Sequence, residues 1–140
     1  MAKLTKRHVC EVFTNIFRHA NSVVGGVALG QVYPNAGRLQ ISIYDLGVGL
    51  VRKIQRMVPG VGSAPDAINW ALAEGNSTAE GPGGLGLTQV RQFVEKNGGY
   101  IRIYANEGRF SESAKGRLNY IGQSNLEGTM VDLGLNILCS

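Results

Sequence analysis

The sequence predicts an α+β fold, a two-layer α/β sandwich in which helices pack on a mixed, mostly antiparallel sheet. Two observations predict it. The chain has 140 residues, 44% of them hydrophobic, which suits one domain (residues 1–140) with a real core. The predicted elements also fall in blocks (a helix, a hairpin, further helices, then a run of strands) with few strand–helix alternations. We therefore expect about five strands and about three helices.

The first predicted element is an amphipathic helix over residues 5–20. Apolar residues recur at the i, i+3, i+4, i+7 spacing of one helix face: Val9, Val12, Phe13, Ile16, Phe17 and Ala20. The opposite face is polar and carries His8, Glu11, Asn15 and Arg18. Taken alone, such a polar face is most often simply solvated.

A β-hairpin is predicted next. The segments "GVALGQVYP" and "RLQISIYD" read as strands, the second rich in β-branched and aromatic residues, and "NAG" joins them. Between Val51 and Gly84 follow a short basic segment, a "PGVGSAP" break, a helix at "DAINWALAE" and the polar run "GNSTAEGPGG". This stretch has the composition of the most mobile part of the chain.

The last third is predicted as a helix followed by strands. "LGLTQVRQFVEKNGG" has core-spaced apolar residues and a Gly pair that stops the helix. Strands are predicted at "YIRIYA", "GRLNYIG" and "GTMVDLGLNIL". Residues 106–127 are longer than a minimal connection, and the sequence offers no function for them.

Charge, cysteines and apolar runs exclude several classes of protein. The net charge is +4, and the basic residues are scattered rather than clustered with aromatics, which argues against nucleic-acid binding. Cys10 and Cys139 have neither metal-site nor disulfide-framework spacing. No apolar run is long enough for a membrane span or a signal peptide, so we expect a soluble, cytoplasmic protein without membrane association.

A glycine-rich segment, "GPGGLG" at residues 81–86, fits the dinucleotide-binding pattern GxGxxG and precedes a predicted helix. Glu107 even lies near the position of the acidic residue of a Rossmann unit. The residues before Gly81, "EGNSTAE", have the composition of a loop, whereas a Rossmann unit needs a strand there. A Rossmann-type domain therefore remains only a remote alternative.

Four short motifs together suggest a different nucleotide site. "EVFTN", "DLGVG", "GGLGL" and the "GT" at residues 128–129 occur in this order across nearly the whole chain. They resemble the nucleotide-binding motifs of the superfamily that contains gyrase B ATPase domains, 90-kDa heat-shock chaperones, sensor histidine kinases, MutL-type repair proteins and anti-sigma-factor serine kinases. The resemblance implies a Bergerat-type sandwich that binds ATP with Mg²⁺.

The first motif carries the expected catalytic chemistry. Glu11 and Asn15 are four residues apart, so a helix places them on one face. An amide oxygen is a suitable Mg²⁺ ligand, and a nearby carboxylate can accept a proton from a nucleophile. The resemblance assigns the metal to Asn15 and the base to Glu11, and it places Arg18 near the phosphates.

The remaining motifs would hold the nucleotide itself. The resemblance implies that Asp45 accepts a hydrogen bond from the adenine amino group and that Thr129 is the second adenine contact. Glycines at 47 and 49 would let the backbone turn under the base. A phosphate cradle is expected at a helix N-terminus, where free N–H groups favour anions. It comprises Gly84, Leu85, Gly86 and Leu87. Residues 51–84 resemble the ATP lid of this superfamily.

Within the superfamily, the glutamate of "EVFTN" favours the gyrase, chaperone and anti-sigma kinase branches, because histidine kinases usually have asparagine there. The expected function is an ATP-dependent protein serine/threonine kinase of anti-sigma type or an ATPase. A nucleotide-sensing module without turnover and a histidine-kinase catalytic fragment remain alternatives. A phosphoacceptor or protein partner in another chain or domain is expected. A bare sheet edge could also be covered by a second protomer, giving a homodimer.

Overall fold

The computed structural model describes residues 26–73 and 84–137, and side chains within them except those of residues 84–86. The predicted first helix, with Glu11, Asn15 and Arg18, lies outside the described residues. So does most of the polar run before Gly84.

The sheet has four strands in the order β1-β2-β4-β3, and every neighbouring pair is antiparallel. The strands are β1 (Gly26–Tyr33), β2 (Arg38–Asp45), β3 (Tyr100–Ser113) and β4 (Gly116–Asn136). The predicted first hairpin is confirmed, with a 3₁₀ turn at Pro34–Ala36 that ends at Gly37 in the left-handed region. These strands and the helices below confirm the predicted α+β class.

Three α-helices lie in the described part of the chain: α1 (Leu50–Met57), α2 (Ala64–Leu72) and α3 (Gly84–Asn97). Ser63 caps α2 by accepting a hydrogen bond from the Asp66 N–H. The Gly pair after α3 stops that helix as predicted. The Gly98 and Gly99 N–H groups donate to the carbonyls of Glu95 and Val94, the two bonds of a Schellman motif.

Helix α1 was not predicted, whereas α2 confirms the helix predicted at "DAINWALAE". Residues 51–57 and 64–72 form helices of the core, so the expectation of a mobile loop is wrong for them. Val51 and Ile54 are fully buried, while Arg52 and Lys53 between them are half-buried. Burial of a side chain such as Ile54 contributes about 1.5–3 kcal/mol, so α1 is part of the folded core.

The core lies between one face of the sheet and the helices. Alternate residues of β2, β3 and β4 are buried on this face: Ile41, Ile43, Ile101, Ile103, Ala105, Val131, Leu133 and Leu135. Helix α2 packs against β3, β4 and both other helices. The opposite face of the sheet carries polar side chains such as Gln40, Ser42 and Asp132. No helix within residues 26–73 and 84–137 is long and apolar enough to span a membrane.

Residues 106–127 form strands rather than a connection. After register shifts at Ala105–Gly108, β3 and β4 continue pairing from Gly108–Ile121 to Ser113–Gly116. We call residues 108–121 the arm. Phe110 of the arm is buried, and Asn119 donates to the Pro65 carbonyl and to Asn69 Oδ1 of α2. The last two predicted strands are therefore one strand, β4.

Candidate functional site

Asp45 and Thr129 lie directly opposite each other at one end of the sheet. Asp45 is the last residue of β2 and pairs with Thr129 of β4. Strand side chains alternate between faces, so both residues share the face of Ile43 and Val131, the face that carries the helices. The register thus unites two residues that the sequence separates widely.

The loop after β2 holds the Asp45 carboxylate in place. The Gly47 N–H donates to Asp45 Oδ1 at 2.9 Å, which closes a tight turn around the side chain. A carboxylate has about four acceptor positions, so this bond leaves acceptor capacity on Asp45. The carboxylate is fixed in orientation and can still accept from a ligand.

Thr129 joins β4 to the start of α1. Its Oγ1 accepts a hydrogen bond of 2.7 Å from the Leu50 N–H. A hydroxyl that accepts one bond can still donate its own hydrogen. Asp45 and Thr129 together therefore offer an acceptor and a donor side by side.

Asn106 fixes the same loop from the other side, and sequence reasoning missed it. The side chain is buried; its Oδ1 accepts from the Arg52 N–H at 3.2 Å, and its Nδ2 donates to the Val48 carbonyl at 3.1 Å. Asn106 is the one described non-glycine residue with positive φ, at 51°. The "NEG" that follows the predicted strand "YIRIYA" was the available signal, because Asn tolerates a positive φ at a strand irregularity.

At two positions of the predicted motifs, neighbouring atoms come so close to the backbone that only glycine fits. Gly49 has φ of 94°, and a Cβ there would collide with the Asn106 amide. Gly128 has φ of 89°, and a Cβ there would collide with the Asp45 carbonyl. Gly49 and Gly128 therefore allow β2, β4 and the loop before α1 to pack closely together.

Lys53 brings a positive charge near this end of the sheet. Burial lowers the pKa of Lys53, and the nearby Asp45 carboxylate opposes that shift.

Arg52, the preceding residue, pairs with Glu107 at 3.1 Å. Glu107 is thus engaged with α1. The sheet around it is antiparallel throughout the described residues, whereas a Rossmann unit needs parallel strands.

The predicted phosphate cradle coincides with the start of α3. The helix begins at Gly84, and its first N–H groups have no partner within the helix. The Leu87 side chain is buried in the core, so only its backbone is suited to contact a phosphate. Thr88 donates to the carbonyls of Ala71 and Ala73, which ties the first turn of α3 to the end of α2.

Residues 26–73 and 84–137 contain no group of three or more His, Cys, Asp and Glu suited to a metal ion. The predicted Mg²⁺ ligand, Asn15, lies outside this part of the chain, as do the predicted base Glu11 and the phosphate contact Arg18.

The comparisons with known proteins identify no family. No protein-family model matches the chain, and no curated protein matches its sequence. The functional argument therefore depends on the geometry of the residues themselves.

Proposed function

We propose that this protein binds Mg-ATP in a Bergerat-type site and acts as a protein serine/threonine kinase of anti-sigma type or as an ATPase. The observation that supports this most is the Asp45–Thr129 pair at the end of the sheet, beside a loop held by Gly47 and Asn106. The four-motif resemblance supplies the identity of the ligand.

The pair suits adenine chemically. An adenine edge presents an amino group, which donates, next to a ring nitrogen, which accepts. Asp45 can take the amino hydrogen, and the Thr129 hydroxyl can reach the ring nitrogen directly or through water. A guanine carbonyl would instead face the carboxylate and be repelled. Selectivity for adenine would therefore depend on Asp45.

The phosphate end of the proposed site combines the start of α3 with the first motif. The free N–H groups at Gly84 to Leu87 suit an anion, and the glycines at 84 and 86 allow close approach. Arg18 would contact the phosphates, Asn15 would hold Mg²⁺ and Glu11 would accept the proton of the attacking hydroxyl or water. Bound Mg²⁺ would neutralise charge on the phosphates.

Binding without turnover is the second candidate function, because the Asp45–Thr129 pair could hold adenine whether or not the phosphate is transferred. The variant Glu11→Gln separates the two. An enzyme should keep nucleotide affinity and lose turnover, whereas a sensor, or a histidine-kinase fragment acting on a partner, shows no intrinsic turnover in the wild type. A partner that supplies the phosphoacceptor belongs to the same proposal.

Asp45→Asn tests the proposed adenine contact. Asn Oδ1 can keep the hydrogen bond from the Gly47 N–H, so the turn should survive. The second carboxylate oxygen is replaced by an NH2 group, which donates instead of accepting. We expect Mg-ATP affinity to fall roughly 10- to 150-fold, the equivalent of about 1.5–3 kcal/mol for a bond to a charged group, and Mg-GTP to lose less. Isothermal titration calorimetry measures both affinities.

The matched control is Asp66→Asn, a change at an exposed aspartate in the first turn of α2, which should leave both affinities unchanged.

Thermal melts of the wild type with Mg-ATP, Mg-GTP and NAD provide the first screen, since a ligand at 100 times its Kd adds about 2.7 kcal/mol to the free energy of unfolding. Equal Mg-ATP affinity in the wild type and Asp45→Asn would remove Asp45 from the site. No stabilisation by Mg-ATP would refute the proposed function.

A further inference from the structure

A pocket lies at the end of these strands opposite to Asp45 and Thr129. β2 has eight residues, so Arg38 at its start and Asp45 at its end are about 23 Å apart at about 3.3 Å per residue. Near Arg38, a cavity of about 340 Å³ is lined by the beginning of β3 and by the tip of the arm. Its size is in the range of small-ligand sites, and nothing in the adenine proposal uses it.

Tyr100 forms the aromatic wall of this pocket. The Arg102 guanidinium lies 4.6 Å from the centre of its ring and the Arg38 guanidinium 5.6 Å. The strand beneath it contributes Gly134, where any Cβ would overlap the ring. The missing side chain thus lets the ring lie against β4, where it holds two cations near one another through cation–π contacts.

The charges that line the pocket are not balanced. Glu112 is the one carboxylate among the described lining residues. It already accepts hydrogen bonds from Nε and Nη2 of Arg91 at 2.8 and 3.0 Å and from Nε of Arg117 at 2.7 Å. Lys115 at the tip of the arm and Arg38 form no ion pair within the described residues.

The position of Arg102 is set by a buried carboxylate behind it. Asp132 lies on the same face of the sheet, is 6% exposed, and accepts hydrogen bonds from Ser42 at 2.8 Å and Gln40 at 3.1 Å. Arg102 pairs with its second oxygen at a longer 3.7 Å. The hydrogen bonds to Asp132 come from the neutral side chains of Ser42 and Gln40, and the contact with Arg102 is longer. The Arg102 guanidinium therefore keeps N–H donors for a ligand.

We propose that this pocket binds an oxyanion, a phosphate or carboxylate group, through Arg38, Arg102 and Lys115. Two planar guanidinium groups can each present paired donors to such a group, and Lys115 adds a point charge from the arm. The group belongs either to a free small molecule or to an acidic or phosphorylated segment of a partner protein. This site is separate from the proposed nucleotide site, and each can fail without the other.

An NMR titration of the full chain with inorganic pyrophosphate tests the pocket. We expect the largest amide shifts at residues 98–102 and 111–116 and small shifts near Asp45 and Thr129. Arg38→Gln should weaken pyrophosphate binding roughly tenfold or more, and Lys115→Gln should weaken it less. Arg38→Gln leaves the Arg102–Asp132 pair in place, so its folding is not at risk from that network.

Two controls make the result specific. Arg56→Gln removes an exposed arginine of α1 outside the pocket, and Asp45→Asn alters only the proposed adenine contact. Neither should change pyrophosphate affinity. An equal loss in Arg56→Gln would indicate unspecific charge attraction and overturn the proposal. Shifts confined to the start of α3 would also overturn it, while leaving the nucleotide site standing.

A serine-phosphorylated peptide and its unphosphorylated form distinguish the two sources of the anion. Tighter binding of the phosphopeptide than of pyrophosphate, with the same dependence on Arg38, assigns the pocket to a protein segment. Tighter binding of pyrophosphate assigns it to a small molecule. Absence of binding by pyrophosphate and by both peptides would refute the oxyanion site.

Discussion

At the Asp45 end of the central strands, three polar side chains are fixed by hydrogen bonds to the backbone of one loop, whereas at the Tyr100 end Arg38 and Arg102 are fixed by contacts with an aromatic ring and, for Arg102, by an ion pair. Asp45, Thr129 and Asn106 each bond to a backbone N–H or carbonyl of the segment 47–52. Arg38 and Arg102 instead lie against the Tyr100 ring. The loop at the Asp45 end therefore depends on exact backbone approach, whereas the two arginines at the other end act through their charge.

This contrast predicts different responses to mutation. Changes at the Asp45 end should reduce the free energy of unfolding, because the backbone there has no room to adjust. Changes to Arg38 or Arg102 at the Tyr100 end should leave the fold nearly intact and alter the pKa of Tyr100 and anion binding, because exposed charges contribute little to stability.

Gly128→Ala should give the largest loss of stability. Its φ of 89° is unfavourable for alanine, and the added Cβ collides with the Asp45 carbonyl. Strain of about 1–2 kcal/mol and overpacking of about 1–3 kcal/mol predict a total loss of about 2–5 kcal/mol in the free energy of unfolding, measured by urea denaturation.

Gly60→Ala is the matched control for that loss. Gly60 has nearly the same φ, 90°, but nothing lies within 4 Å of the added Cβ. Gly60→Ala should therefore reduce the free energy of unfolding only by the backbone strain, about 1–2 kcal/mol. If both variants lose the same amount, the close approach of Gly128 to Asp45 has no energetic importance.

Asn106→Gly should have an intermediate effect. Glycine keeps the positive φ without strain but removes the bonds to Val48 and Arg52, at a cost of about 1–3 kcal/mol in the free energy of unfolding. A loosened loop should also weaken Mg-ATP binding beyond the loss of stability, which calorimetry on the folded variant measures.

Asn119→Ala is the comparison for Asn106. It also removes two hydrogen bonds, to Pro65 and Asn69, but in the arm, where it is only half-buried and water can replace them. We expect a loss below about 1 kcal/mol and unchanged Mg-ATP affinity. A larger loss in Asn119→Ala than in Asn106→Gly would contradict the assignment of the rigid region to the loop around Asp45.

Elements with strong local signals could be predicted from the sequence. The alternation of "ISIYD" indicates β2, and the Gly pair after α3 marks its end. Helix α1 was missed because its segment "LVRKIQRM" holds three cations, and only its packing against α2 and β3 reveals that Val51 and Ile54 are core residues. In the arm, the strand at "GRLNYIG" was predicted, but its partner at residues 108–113 was missed because that polar segment buries little besides Phe110.

The residues of the candidate site likewise fall into those that the sequence could identify and those that only the structure reveals. Asp45, Gly49 and Thr129 could be selected from motifs, but their proximity depends on the pairing of β2 with β4. Asn106 acts through a strand irregularity and a positive φ, neither of which a periodic pattern contains. The pocket at Tyr100 likewise depends on strand order, since β4 lies between the strands of Arg38 and Tyr100.

The smallest expected effect is on the pKa of Tyr100. Burial raises this pKa first and the Asp132 carboxylate raises it further, while Arg102 and Arg38 lower it and Tyr33 adds a minor raising effect. Asp132→Asn should therefore lower the pKa of Tyr100, and Arg38→Gln should raise it. Spectrophotometric titration of phenolate formation, with Tyr100→Phe subtracted, measures both shifts.

The same shift predicts how stability depends on pH. The folded state holds the Tyr100 proton above the ordinary pKa of 10.0, so this contribution to stability is fully present below pH 10. It is lost as the pH rises through the higher pKa of the folded state. Tyr100→Phe should remove this part of the alkaline loss. Shifts of the same sign in Asp132→Asn and Arg38→Gln would show that the two charges do not act on the Tyr100 ring as the structure indicates.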